Sequence, residues 1–166
     1  YVPFPFFLAY AASLLQKHGI DVTLIDAIVE QMPEDKFLEK IIGMDFDYLV
    51  TETSIPSFYY DLYLFKKISF AGIPIILCGP NTEIYETQFL KENPFINFVL
   101  YGEYEFTLLE LVKCLKERKD LSKVKGLIYN DNGTIKKNPS REPFDINLLP
   151  WPYRAGLPMR KYLDAP

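Results

Sequence analysis

The stretch IPIILCG, residues 73–79, limits what this chain can become more than any other. It is a short apolar run bounded by Gly72 and Gly79, with no polar residue to mark a wet face. A strand of that kind is buried on both sides, as in a parallel sheet covered by helices.

The neighbouring segments supply such helices. Residues 7–17 place Leu8, Ala11, Ala12, Leu14 and Leu15 at helical spacing, and Gly19 is positioned to stop the helix. DVTLIDAIV follows as a β-branched strand over about 21–27, and Pro33 and Glu34 open a helix over 34–42 with Phe37, Leu38, Ile41 and Ile42 on one side. DYLVTET, 47–53, predicts the next strand and 59–69 the next helix. Beyond the 73–79 strand come a helix over 82–91 with its cap at Asn81 or Thr82, a strand over 96–102 and a helix over 105–118. Strand–helix repetition of this kind predicts an α/β, doubly wound parallel sheet.

After residue 120 the rhythm changes. GLIYNDNGTIKKN, 126–138, reads as a β-hairpin about Asn132-Gly133, a pair that accepts positive φ cheaply. The proline-rich stretch 139–166 reads as an extended linker. Two regions are thus expected: an α/β domain over 1–120, and a hairpin with its linker over 121–166. The chain opens in its first helix, so the first strand of the sheet is expected to be missing or to come from another segment.

A net charge of -4 and a pI near 5.1 argue against nucleic acid as the main partner. The basic stretch KERKDLSKVK carries Glu117 and Asp120 inside it and reads as a solvated helix end. The apolar opening FPFFLAYAASLL lacks a basic leader and is too short to span a bilayer, so a cytoplasmic chain with no membrane partner is expected. Cys78 and Cys114 have no metal-like spacing and read as buried thiols.

Ligands of parallel doubly wound sheets sit beyond the carboxyl ends of the strands. Three strand ends here share small and polar residues: TETSIPS (51–57), CGPNTE (78–83) and YGEYEFT (101–107). Each is either a loop with a helix cap or part of a pocket in which a ligand approaches the backbone. Glu103, Glu105 and Glu110 raise the question of paired carboxylates. The aromatic residues Tyr59, Tyr60, Tyr101, Tyr104 and Phe106 are candidates for stacking, with packing as the default. Asp26 ends a strand, but the acidic pair of a phosphoacceptor site is not evident.

Taken in order, these stretches resemble the N-terminal cobalamin-binding domain of cobalamin-dependent radical S-adenosylmethionine enzymes. FPFFLAYAASLLQKHGIDVTLIDA is similar to that family's opening helix and strand. TETSIPS looks like its "ETSTPS" strand end, with Ile55 where Thr is frequent, and ILCGPNTE resembles its "GGP-H" turn, with Cys78 in place of a glycine. YGEYEFTLLEL looks like its "GE-E-TLLEL" segment, and residues 125–154 resemble its hairpin and exit linker.

The resemblance implies a flavodoxin-like domain that binds cobalamin on three loops. By position these contribute Thr51, Glu52, Thr53 and Ser54; Gly79, Pro80 and Asn81; and Tyr101, Gly102, Glu103 and Glu105. It also implies a downstream barrel domain as partner, which would hold a 4Fe-4S cluster on a CxxxCxxC motif together with S-adenosylmethionine and carry out methyl transfer. That motif does not occur here, so the chain alone is expected not to be catalytic. No DxHxxG loop is present to supply an axial histidine, and His18, at a helix end, is expected to meet the helix dipole rather than cobalt. A flavin- or nucleotide-binding domain, with the TETS stretch cradling a phosphate, and a cofactor-free interaction domain remain as alternatives.

Overall fold

Ile75, Ile76, Leu77 and Cys78 are fully buried and form an interior strand, second from one edge, of a five-stranded sheet. The computed structural model describes residues 3–79 and 86–163. In chain order the elements are α1 (Phe6–Lys17), α2 (Glu34–Ile42), β1 (Leu49–Glu52), α3 (Phe58–Ser69), β2 (Ile75–Cys78), α4 (Thr87–Glu92), β3 (Phe98–Leu100), α5 (Glu105–Glu117), β4 (Leu127–Asp131), β5 (Thr134–Lys137) and a short α6 (Met159–Leu163). The strands lie in sequence order; β1, β2 and β3 are parallel, while β4 and β5 join antiparallel. The hairpin therefore extends the same sheet.

Strand periodicity sorts the core into two layers. Ile76, Cys78, Leu100, Leu127 and Tyr129 face α1 and α5 through Ala11, Leu14, Leu15, Leu108 and Leu111. Ile75, Leu77, Val99, Tyr101 and Ile128 face the other way, onto Phe58, Leu64 and Phe65 of α3 and Phe89 and Leu90 of α4. Helices on both faces give the flavodoxin-like α/β architecture that the alternation predicts, with an antiparallel pair added at one edge.

Two expectations change. Residues 21–27 form no strand, and the outer edge of β1 carries no partner among the described residues. An extended segment becomes a strand only through a neighbour's hydrogen-bond ladder, and Ile20 and Val22 instead pack onto the α1–α5 layer. Asp26 then turns the chain, its Oδ1 accepting from the backbone N–H groups of Ile28 (3.1 Å) and Val29 (3.0 Å). The expected start of the 82–91 helix, with its cap at Asn81 or Thr82, lies outside the described residues; α4 runs from Thr87.

The stretch after β5 is extended in part but held down along its course. The Pro139 carbonyl accepts from Gly126 N–H at 2.8 Å, and Arg141 Nε donates to Thr107 Oγ1 at 2.9 Å while its guanidinium pairs with Glu110. Phe144 meets Phe106 edge to face with centroids 4.6 Å apart, and Tyr153 N–H donates to the Ala9 carbonyl at 2.9 Å. The segment ends in a small cluster of Val29, Leu157 and Tyr162, where Tyr162 donates to Asp26 Oδ2 at 2.6 Å. It forms a strap across α5 and α1 back to the turn at Asp26.

Candidate functional site

Glu52 and Cys78 are register partners, so β1 and β2 end level with each other. The ladder runs one residue further, Thr53 N–H donating to the Cys78 carbonyl at 3.2 Å, and Thr53 is 1% exposed. Gly79 leaves β2 at φ +127, and a Cβ there would lie 2.7 Å from the Thr53 carbonyl oxygen and 3.1 Å from Glu52 Cγ. Only glycine permits this approach of the two strand-end loops. Pro80 and Asn81, the rest of the predicted turn, lie outside the described residues.

The third loop follows β3. Tyr101 is buried and fully employed: its N–H donates to the Gly126 carbonyl at 3.0 Å and its hydroxyl to the Asn138 carbonyl, and Lys137 Nζ lies 4.7 Å from the ring centroid. Gly102 turns the chain at φ +75 in open space, and Glu103 is exposed. Tyr104 and Glu105 then start α5, both turned inward, 3% and 4% exposed.

Tyr104 Oη and Glu105 Oε2 are buried without a hydrogen-bond partner among the described residues. The Tyr104 hydroxyl is nevertheless close enough to Glu52 and Cys78 to shift both. Burial, with the Glu105 carboxyl second, pushes Glu52 up to about 7 against the opposing influence of Tyr104. Glu105 is raised by burial, the backbone N–H groups of Glu105 and Tyr104 opposing and Glu103 adding to it. The Cys78 thiol is pushed up by burial and then by Glu52, and its Sγ donates to the Thr51 carbonyl at 3.2 Å. Glu52, Glu105 and the Cys78 thiol are thus held toward their neutral forms.

The structure brings together Thr51, Glu52, Thr53, Gly79 and Glu105 of the residues expected from the sequence, with Gly102 and Glu103 beside them. It adds two others, Tyr104, which read only as one aromatic among many, and Cys78, which read as a glycine replacement. Ser54 stands apart: its Oγ lies 2.9 Å from Ser57 Oγ, and Ser57 donates to Asp61 Oδ2 at 2.7 Å, a network local to the first turn of α3.

Other candidates have structural employment. Glu110 pairs with Arg141. Tyr60 donates to Glu34 Oε2 at 2.9 Å and stacks on Tyr63, on the α2–α3 surface. His18 Nδ1 lies 3.4 Å from Lys113 Nζ. Lys113 is two turns beyond Glu105 on α5, about 12 Å along the helix, so this histidine is remote from the strand ends. Among the described residues no group of three His, Cys, Asp or Glu is arranged for a metal ion, and no helix is long and apolar enough to cross a membrane. A shallow depression of about 270 Å³ lies at the opposite, amino ends of the strands, lined by Ser69, Pro74, Phe95 and Asn97 among others, none of them titratable.

No family model matches the chain. It is 32% identical over 162 residues to an uncharacterized methyltransferase of Pyrococcus horikoshii, covering 95% of this chain and 35% of the relative. It is 28% identical over 178 residues to the anaerobic magnesium-protoporphyrin IX monomethyl ester cyclase of Rubrivivax gelatinosus, covering 98% of this chain and 32% of the relative. The chain thus spans about a third of the length of these relatives.

Two solved structures share the fold. The radical S-adenosylmethionine methyltransferase TsrM from Kitasatospora setae superposes with a TM-score of 0.71 at 18% identity, over 85% of this chain and 28% of that one. The cobalamin-dependent S-adenosylmethionine radical enzyme OxsB, with aqua-cobalamin bound, gives 0.73 at 20% identity, over 84% of this chain and 20% of that one. The class defined by fold and site is therefore a flavodoxin-like α/β domain with a polar cluster at its strand ends. Within that class the resemblance read from the sequence holds in three dimensions: the chain has the fold of a region of cobalamin-dependent radical S-adenosylmethionine enzymes.

Proposed function

We propose that this chain is the cobalamin-binding module of a radical S-adenosylmethionine enzyme, a methyltransferase, and that it is not catalytic alone. The observation that carries the reading is a pair of buried polar atoms at the carboxyl ends of parallel strands, Tyr104 Oη and Glu105 Oε2, that have no hydrogen-bond partner among the described residues. Buried polar groups are nearly always satisfied, and each one left unmade costs about 1–3 kcal/mol. Orphans at the place where this architecture binds ligands are accounted for by a ligand that satisfies them. The methyltransferase relative and the two solved neighbours, both cobalamin or S-adenosylmethionine proteins by name, support the same reading.

The residues fit the cofactor's chemistry. The periphery of the corrin carries carboxamides, each of which donates and accepts hydrogen bonds, and the cluster offers a hydroxyl and carboxyl oxygens. Thr51, Glu52 and Thr53 would form one wall, Gly79 would let the ring approach the backbone, and Gly102, Glu103, Tyr104 and Glu105 would form the other. When bound, cobalamin supplies the chemistry of the carbon–cobalt bond, while the protein holds it, orients it and excludes water. The partner in this reading is a downstream barrel domain carrying the 4Fe-4S cluster and S-adenosylmethionine.

A visible-spectrum titration with hydroxocobalamin followed by desalting tests this. One cobalamin retained per chain is expected, with flavin mononucleotide failing to compete. Loss of the cobalamin spectrum on desalting, with flavin retained instead, would contradict the reading.

A further inference from the structure

Helix α3 is apolar on two sides. Its inner face buries Phe58, Leu64, Phe65 and Ile68 against the sheet. Its outer face carries Tyr59, 85% exposed, Tyr63, 49%, and at its C-terminal end Phe70, 82%. At about 100° per residue, Tyr59, Tyr63, Lys66 and Phe70 fall within roughly 60° of arc. Their steps of four, three and four residues are the seam spacing of one helix packed on another. Tyr60, 52% exposed, borders the stripe and stacks on Tyr63 with centroids 6.1 Å apart. A helix that is apolar all round belongs in an interior, and a monomer rarely leaves so large an apolar patch uncovered.

We infer that this stripe is the contact surface for a second copy of the chain, the two α3 helices packing antiparallel about a twofold axis between Tyr63 and Lys66. The arrangement is self-complementary: Tyr59 of each copy meets Phe70 of the other, and Tyr63 meets Lys66, so each contact is made twice. Charge agrees with it. Glu34 of α2 accepts from Tyr60 at 2.9 Å and from Lys67 at 2.6 Å, which sets its carboxylate level with Tyr63. Lys66 is exposed and forms no ion pair among the described residues, so the second copy brings its ammonium to the level of that carboxylate. The four exposed aromatic residues offer on the order of 500 Å² per copy, about where weak but specific interfaces begin. The cobalamin reading puts its ligand and downstream domain at the carboxyl ends of the strands. Helix α3 joins the parallel strands β1 and β2, so its stripe runs from there down the side of the sheet to Phe70 at the amino ends, and this inference is independent of that reading.

Sedimentation equilibrium of the 166-residue chain without cobalamin is expected to show monomer and dimer in exchange, with a Kd of about 1–100 µM. Tyr59→Ser combined with Phe70→Ser, checked by circular dichroism for the native fold, should weaken the dimer at least about tenfold. Lys66→Glu, which leaves the aromatic residues in place, should weaken it about fivefold or more at low salt. Oxidative cross-linking in a Cys114→Ser background tests the antiparallel order. Chains with Tyr59→Cys mixed with chains with Phe70→Cys should link to each other. Tyr59→Cys alone should not link, because its two copies lie roughly 16 Å apart along the helices, beyond the ~7 Å reach of a disulfide. A chain still monomeric at about 500 µM overturns the inference and leaves the stripe to a different partner. A dimer that survives the substitutions, or Tyr59→Cys linking to itself as readily as to Phe70→Cys, overturns it as well. None of these outcomes touches the cobalamin reading.

Discussion

Glu52 is the residue at which sequence and site meet, because a carboxylate at the end of a strand is visible in the sequence while its environment is not. Its ionisation is raised from 4.5 to about 7 in the folded chain. The folded state therefore binds more protons than the unfolded state across that interval. Stability attached to this group is full below about 4.5, falls as pH rises through the interval and levels off above about 7. Glu52→Gln should flatten that part of the stability–pH curve, as followed by thermal melting at several pH values; identical slopes would show that the carboxyl is solvated. Gly79 sets a second expectation. Gly79→Ala should cost at least about 2 kcal/mol in urea denaturation, since its Cβ would strike the Thr53 carbonyl. Gly102→Ala, at positive φ but in open space, should cost about 1 kcal/mol. Equal costs would show that the loops are not pressed together. Glu52 and Gly79 were legible because strand ends and glycines punctuate a sequence. Tyr104 was not: its neighbour relations with Glu52 and Cys78 arise only when β1, β2 and the start of α5 converge.

At the scale of elements, periodicity carried most of the fold. The apolar run at β2, the amphipathic spacing of α1 and α5 and the Asn132-Gly133 turn all appear where local pattern placed them, with Asn132 at φ 50 and Gly133 at φ 91. Residues 21–27 failed because strand formation is not local: a β-branched run without a neighbouring ladder stays extended and unpaired. The strap was hidden for a related reason. Prolines mark an extended backbone, but whether it floats or docks depends on distant partners such as Thr107 for Arg141 and Asp26 for Tyr162. Docking predicts that Tyr162→Ala loosens the end of the strap. In limited proteolysis, cleavage at the exposed Arg154 and Lys161 should then accelerate roughly threefold or more. An unchanged rate would mean that the contacts near Tyr162 hold nothing down.

For the whole molecule, two helix layers cover a sheet whose carboxyl ends gather the buried polar groups of Glu52, Tyr104 and Glu105, while a shallow depression lies at the opposite ends. In the proposed reading such a domain positions its cofactor for chemistry carried out elsewhere. The central claim, that cobalamin binds at the strand ends, is tested most directly by amide-resolved NMR of the isotope-labelled chain during titration with hydroxocobalamin. The account predicts shifts concentrated at Glu52 to Ser54, Gly79 and Gly102 to Glu105, with His18, Lys113 and the stretch Ser69 to Ile73 unmoved. Shifts centred on those latter residues, or none at all at saturating cobalamin, would contradict it.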